Sequence, residues 1–378
     1  MTTWRLMTAD GVDARDGLAM DEALMLHHGR SESPSPPILR LYTYRDHAAL
    51  CGRYQHLEAE IDLAACRAGG TTFNRRPTGG GAIVMGSGQL GVAVLTRSPA
   101  SKSPKALLIE LSKGIVTALA SVGIGADFGG KNDLKVNGRK IAGLGLYVDA
   151  EGGMLFHASI LADLDIPFML EALSIPASKL GDQAVTAVES RVTTVTRETG
   201  RLWTGADLRP IVREGFQTTL GIDFAEDEPS DDEMARAHEL VVSKYSQDEW
   251  IHARSPQADA TATSMIRTPH GTVRVYLALQ GDTIKSVLVT GDVNTIPEQI
   301  KDFESRLKWA RLSGESVARA SDAAFPAGTG LDVDPHVLVD AVLEAGSRAT
   351  RREIVAPHRL GSCYFPDDSI RAQKVEAV

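Results

Sequence analysis

Between Asn74 and His157 the sequence gathers side chains able to hold a small acid and a phosphate together. Asn74-Arg75-Arg76-Pro77-Thr78-Gly79-Gly80-Gly81-Ala82 sets two guanidinium groups before three glycines. Arginine offers a planar fork of donors matched to carboxylate or phosphate oxygens. Consecutive glycines let the backbone lie against a ligand or turn through φ > 0. Gly130-Lys131-Asn132-Asp133-Leu134-Lys135 and Gly138-Arg139-Lys140-Ile141-Ala142-Gly143 then bring Lys131, Lys135, Arg139 and Lys140 close to an amide and a carboxylate. His157 follows within Leu155-Phe156-His157-Ala158-Ser159. Each block also has a plainer reading. Three glycines fit a loose turn, and the basic cluster fits a solvated hairpin rim, because Asn137-Gly138 is a type I′ turn signal. A histidine among Leu155, Phe156 and Ile160 fits a core position. Taken together, these residue types suit a site for a small acid and a nucleotide phosphate.

Composition narrows the classes. The 378 residues allow two domains and a small third element, and 43% apolar content supports real cores. A net charge of -9 argues against a general phosphate-backbone binder, so no nucleic-acid partner is expected. Cys51, Cys66 and Cys363 form no metal-like spacing, and an odd, sparse count fits a reducing compartment. Met1-Thr2-Thr3-Trp4-Arg5 lacks the apolar core of a signal peptide. No apolar run approaches a membrane span. The expectation is a cytoplasmic protein with no membrane partner.

The elements that must position these residues follow from periodicity. Trp4 to Met7, Ile38 to Tyr44 and Ala48 to Cys51 read as strands, and Asp16 to Met25 as a helix. Ile61 to Ala68 reads as a short helix. Ala82 to Met85 and Leu90 to Leu95 read as a hairpin. Pro104 to Val122 is the clearest helix, with Leu107, Leu111, Ile115 and Leu119 on one face. Leu134 to Val136, Lys140 to Val148 and Met154 to Ile160 read as three strands. Helices follow at Ile166, at Leu208 to Thr219 and at Glu233 to Val242, the last after a polar hinge from Glu226 to Asp232. The polar loop Ala253 to Ser264 leads to a second hairpin, Gly271 to Leu277 with Thr283 to Val289, and to a helix from Pro297 to Leu307. Two further helices are expected beyond Ala320. The fold class is α+β: mixed and antiparallel sheets packed with helices, plus a second small α+β unit.

Leu18 to Glu22, Gly52 to Glu60, Arg75 to Ala82, Gly130 to Gly143 and His157 to Asp165 occur in an order and spacing that resemble the lipoate-protein ligase family. That family shares its fold with biotin ligases and octanoyltransferases. Val287-Leu288-Val289-Thr290-Gly291-Asp292-Val293, then Pro297-Glu298, resembles the family's C-terminal accessory domain. The resemblance implies a catalytic domain over 1–223, a linker and connecting helix over 224–264, and an accessory domain with a helical tail over 265–378. It implies ATP-dependent ligation of lipoate to a carrier lysine through lipoyl-adenylate, with Mg2+ accompanying the nucleotide. Lys140 matches the catalytic lysine. Arg75, Arg76, Gly79, Gly80, Gly81, Lys131, Asn132, Asp133, His157 and Ala158 match acyl- or nucleotide-binding positions. Asp133 is the candidate metal ligand. The implied partner is a lipoyl carrier domain: a 2-oxoacid dehydrogenase E2, the glycine-cleavage carrier or a specialised lipoate-binding protein. The basic cluster around Lys140 offers complementary charge to an acidic carrier.

Departures from the family pattern gather near the pocket. Met85-Gly86 stands where members carry His-Asp, Gln89 where they carry Asn, and Tyr147 where they carry Arg. Phe156 and Ala158 replace the first His and the Gly of His-His-Gly-Thr. These changes point to an altered acyl or carrier preference. They also keep open a non-catalytic lipoate- or carrier-binding protein. Octanoyl or lipoyl transfer is the other alternative. Octanoyltransferases of this fold use a cysteine nucleophile, and no cysteine lies between Cys66 and Cys363.

Overall fold

The computed structural model describes residues 2–30, 35–129, 132–173, 184–254, 256, 260, 262–291, 297–326 and 333–350. Its strands are β1 (Thr3–Val12), β2 (Ile38–Tyr44), β3 (Ala48–Cys51), β4 (Thr72–Arg75), β5 (Ile83–Met85), β6 (Gln89–Arg97), β7 (Asp127–Phe128), β8 (Asp133–Val136), β9 (Arg139–Val148), β10 (Gly153–Leu161), β11 (Asp223–Glu226), β12 (Ala262–Thr268), β13 (Gly271–Gln280) and β14 (Thr283–Gly291). The main sheet runs β11-β1-β2-β6-β10-β9-β8-β7. Its β11-β1-β2 edge is parallel and the rest antiparallel. A second sheet, β4-β3-β5, and a third, β12-β13-β14, complete an α+β architecture.

The main sheet is buried on both faces, which is why its central strands read as continuous apolar runs rather than alternating ones. Successive side chains still divide between faces. Leu39, Leu41, Val92 and Val94 meet the helix Pro104–Ser121 and the helix Arg209–Leu220 through Leu111, Ile115, Leu119 and Phe216. Ile38, Tyr42, Ala93 and Leu95 meet the helix Ala14–Arg30 through Leu18, Leu24 and Met25. Ser103 caps the first of these helices from its side chain, with Pro104 in the first turn.

The expected hairpin of Ala82 to Met85 with Leu90 to Leu95 does not form. β5 pairs with β3, while β6 pairs with β2 and β10. The chain leaves one sheet and enters another across Gly86-Ser87-Gly88, so adjacency in sequence misleads there. The turn at Asn137-Gly138 does form, with φ of 50° and 80°. The segment after β11 is strapped to the first helix. Asp231–Leu240 continues into a π-helical turn, Val241–Tyr245. There Lys244 Nζ lies 2.6 Å from Glu22, and Tyr245 donates its hydroxyl proton to the same carboxylate.

The third sheet packs against the helices Pro297–Leu307, Gly314–Ala324 and Pro335–Thr350 around Val273, Val275, Leu277, Phe303 and Val342. β12 begins inside the stretch read from sequence as a polar loop. Residues 351–378, with Cys363, lie outside the described residues, as do Asp292 and Val293. Among the described residues no helix is long and apolar enough to cross a membrane.

Candidate active site

A cavity of about 320 Å³ opens where the second sheet, the β8–β9 hairpin, β10 and the β12–β13 turn converge. Lys140 reaches it through a local irregularity. The β8–β9 ladder pairs Leu134 with Ala142 but Lys135 with Lys140, so Ile141 is one residue extra on β9. Such a bulge re-aims a side chain. The Lys140 backbone is then pinned from outside the hairpin: its N–H donates to Arg191 O at 2.7 Å, and its carbonyl accepts from Thr193 N at 2.8 Å. Lys140 Nζ sits 2.8 Å from Asp133 Oδ1, an electrostatic contact in which that buried oxygen accepts no aligned hydrogen bond. Asn132 lies beside them, its Nδ2 donating to Leu144 O at 3.3 Å. The expected basic rim is largely turned inward or neutralised. Arg139 pairs with Glu198 at 2.7 Å, and Lys135 lines the cavity. Gly130 and Lys131 lie outside the described residues.

The two adjacent arginines have separate tasks. Arg76 lines the cavity and donates to Leu50 O, Gly79 O and Gly81 O at 2.9, 2.9 and 2.6 Å. It thereby fixes the triple-glycine loop, of which Gly81 reaches the cavity wall. Gly80 has φ +92°, and its carbonyl approaches Gly52 so closely that a Cβ there would lie 2.0 Å from the oxygen. Arg75, expected from sequence as a ligand-binding residue, is turned away from the cavity and is fully buried. Its Nε donates to Trp250 O and Ile251 O, and its Nη1 to Gly52 O, Arg53 O and Gln55 O. Five backbone carbonyls, rather than a substrate, surround that charge.

His157 borders the cavity, with Nε2 3.1 Å from Thr78 Oγ1 and its ring beneath Gly145, where a Cβ would lie 2.3 Å from Nε2. Burial, helped by the positive charge of Arg76, lowers its pKa from 6.5 to about 3. Near neutral pH the imidazole is uncharged and too weak a base for efficient general-base work. Above pH 6.5 neither the folded nor the unfolded state binds a proton at this group. As pH falls from 6.5 toward 3 the unfolded chain binds one more, so stability is lost by up to about 1.4 kcal/mol per pH unit. Relative to wild type, His157→Gln therefore loses about 2 kcal/mol less stability between pH 7 and pH 5, read from urea unfolding. Identical losses in both proteins would contradict the assignment.

The far end of the cavity is apolar. Leu18, Leu50, Ile83 and Met85 line it, and Ser159 donates to the Met85 thioether at 2.9 Å. Tyr42 also borders it and is anchored from behind. Tyr42 donates to Asp21 at 2.8 Å, and Asp21 pairs with Arg40 at 2.6 Å. Ala158 borders the same space. Of the departures noted in the sequence, Phe156 faces the main core and is fully buried. Tyr147 lies under the Arg53 guanidinium at 4.7 Å. Gln89 donates to Asp163 O at 2.7 Å. Cys51 and Cys66 are buried outside the cavity lining, and burial pushes each thiol up to about 11.

The cavity wall contributed by β12 and β13, including Met265, Arg267, Thr272 and Arg274, was not foreseen. The available signal was a polar, alternating strand laid against a charged space, which lacks the apolar rhythm of a core strand. Two contacts fix this wall. Arg274 Nη1 lies 2.8 Å from Glu60 with both side chains 7% exposed, and Gly291 N donates to Tyr54 O at 2.8 Å.

The mixed sheet carries a cleft that is apolar at one end and cationic at the other, a lining chemically suited to an acyl chain ending in a carboxylate. Residues 13–217 match the family model described as the lipoyl protein ligase A/B catalytic domain, and the chain belongs to that family. Octanoyltransferase LipM of Symbiobacterium thermophilum is 29% identical over 274 residues, covering 66% of this chain and 98% of that protein. Lipoate-protein ligase A subunit 1 of Thermoplasma acidophilum is 31% identical over 247 residues, covering 63% and 92%. A solved lipoate-protein ligase A bound with ATP superposes with a TM-score of 0.57 at 28% identity, covering 66% of this chain and 98% of that one. The family's chemistry is lipoyl and octanoyl group transfer.

Proposed function

We propose that this protein joins lipoate to a lysine of a lipoyl carrier domain at the expense of ATP, through lipoyl-adenylate. The observation that carries this reading is the Lys140 ammonium, held by Asp133 where the apolar and cationic parts of the cavity meet, with neither described cysteine in the lining. The acyl chain lies along Leu18, Leu50, Ile83 and Met85. In the first step a carboxylate oxygen attacks the α-phosphorus of ATP. The bond from that phosphorus to the bridging oxygen breaks, and pyrophosphate leaves with the electron pair. Lys140 offsets the negative charge that builds on the transferring group. In the second step the neutral amine of the carrier lysine attacks the acyl carbonyl carbon, AMP leaves, and the amine proton passes to water. Lys140 then donates to the carbonyl oxygen.

Magnesium fits as an ion brought by the nucleotide. No group of three His, Cys, Asp or Glu able to cage a metal occurs among the described residues. The Asp133 carboxylate, paired with Lys140 at the cavity wall, would supply one oxygen beside phosphate and water oxygens. Such an ion would neutralise phosphate charge.

Octanoyl transfer through a cysteine thioester is the second reading, favoured by the LipM relatives. Against it, the Cys51 and Cys66 thiols are buried and held protonated well above neutral pH. The test is pyrophosphate release from ATP with lipoate, octanoate and biotin offered separately, followed by the intact mass of an added lipoyl domain. Release with lipoate and a lipoyl-sized mass gain are expected. Modification by an octanoyl thioester donor without ATP, and no release with any acid, would overturn the ligase in favour of the transferase.

A further inference from the structure

Lys140 lies where β9 changes neighbours. The ladder of β9 with β10 ends at Ala142 opposite Ile160, so the first residues of β9 extend past it. The segment from Arg191 to Thr193 takes that place, with Val192 pairing in parallel with Lys140. This strap is held at both ends. Val192 is buried in a cluster with Leu161, Met169 and Ala172, and Val195 enters the main core. Thr194 then caps the short helix Val195–Thr199, its side chain accepting from Arg197 N at 3.1 Å. Glu198 on that helix joins the strap to the hairpin. Its Oε1 accepts from Arg139 Nη2 at 2.7 Å and from the Thr193 hydroxyl. Arg139 precedes Lys140, and Thr193 is the residue whose N–H donates to the Lys140 carbonyl. One oxygen therefore ties both strands beside the bulge at Ile141. Thr193 is buried and the Glu198 side chain is 14% exposed, so the link is largely sheltered from water. A bulge interrupts its own ladder, and the direction it gives a side chain has to be secured by other contacts.

Resting on the reading of Lys140 as the catalytic lysine, we propose that Glu198 is its positioning residue. Glu198 clamps the strap to the start of β9 and so fixes the bulge that aims Lys140 at the cavity. It lies outside the cavity lining, and it acts through the backbone that carries Lys140. A structural ion pair would add stability alone. The clamp also sets the rate, because displacing a reacting group by about 1 Å costs on the order of 10²-fold.

The test uses the full chain. In Glu198→Ala, hydrogen exchange read by mass spectrometry speeds up in the peptides that carry Lys140 and Thr193, while those of β2 and β6 keep the wild-type rate. In pyrophosphate release the same variant lowers kcat by about 10–100-fold and leaves the KM values for ATP and lipoate unchanged. Transfer from synthetic lipoyl-adenylate to a lipoyl domain falls with it, because Lys140 serves both steps. Glu198→Gln recovers most of the loss, since its carbonyl oxygen can accept from the same two donors. In a Lys140→Ala background, Glu198→Ala adds no further loss of turnover. A normal kcat, a loss that persists undiminished in the Lys140→Ala background, or unchanged exchange in both peptides would each overturn the clamp. If wild type releases no pyrophosphate with any acid, yet Glu198→Ala still speeds exchange around Lys140, the ligase reading fails and the clamp on Lys140 stands.

Discussion

Replacing Lys140 with alanine lowers lipoate-dependent pyrophosphate release by about 10²–10³-fold, the usual cost of removing a preorganised charge from a transferring group. The fold survives the change. The side chains of Lys140 and Asp133 are 15% and 26% exposed, so water still reaches the carboxylate left behind, and the stability change stays within about 2 kcal/mol. Transfer from preformed lipoyl-adenylate also falls, because the same ammonium faces the carbonyl oxygen in the second step. Quenched-flow pyrophosphate detection, paired with intact mass of the carrier, reads both steps. Normal release by Lys140→Ala would remove Lys140 from the mechanism.

Arg75→Met is expected to act on stability rather than on substrate contact. Five N–H···O bonds end on carbonyls of Gly52, Arg53, Gln55, Trp250 and Ile251. Methionine fills much of the space but donates nothing, so those buried acceptors lose their partner together. The expected destabilisation is about 3–5 kcal/mol by urea unfolding at neutral pH. An ammonium cannot span two segments as a planar fork does, so Arg75→Lys recovers little. An unfolding midpoint unchanged from wild type would contradict the role given to Arg75.

Much of the site was readable because its chemistry is local. Asn132, Asp133 and Lys140 fall on one hairpin, and the Asn137-Gly138 turn joining its strands takes the left-handed backbone expected of it. The strands Ile38–Tyr44 and Ala48–Cys51 matched their apolar runs. What could not be read depends on partners distant in sequence. Nothing local distinguishes Arg75 from Arg76, yet one meets Trp250 and Ile251 while the other meets the glycine loop. The strands β5 and β6 adjoin in sequence, but their hydrogen-bonding partners lie in different sheets. β12 was hidden because its Met265 and Arg267 serve a cavity, so tertiary context overrode the pattern expected of a buried strand.

The ring of carbonyls around Arg75 also sets an order of assembly. Its most distant members follow it by 175 and 176 residues, and Trp250 returns the contact by donating its indole N–H to Arg75 O at 2.8 Å. During synthesis the arginine therefore waits, its charge in water, while the main sheet emerges after it. Early N-terminal structure on the ribosome stops short of a finished cavity wall. Only when the short helix Asp248–Ile251 has left the exit tunnel can the strand carrying Arg75 lock, and with it the glycine loop that begins four residues further on. The segment that completes the Arg75 strand thus lies beyond residues 13–217, the part of the chain that matches the catalytic-domain family.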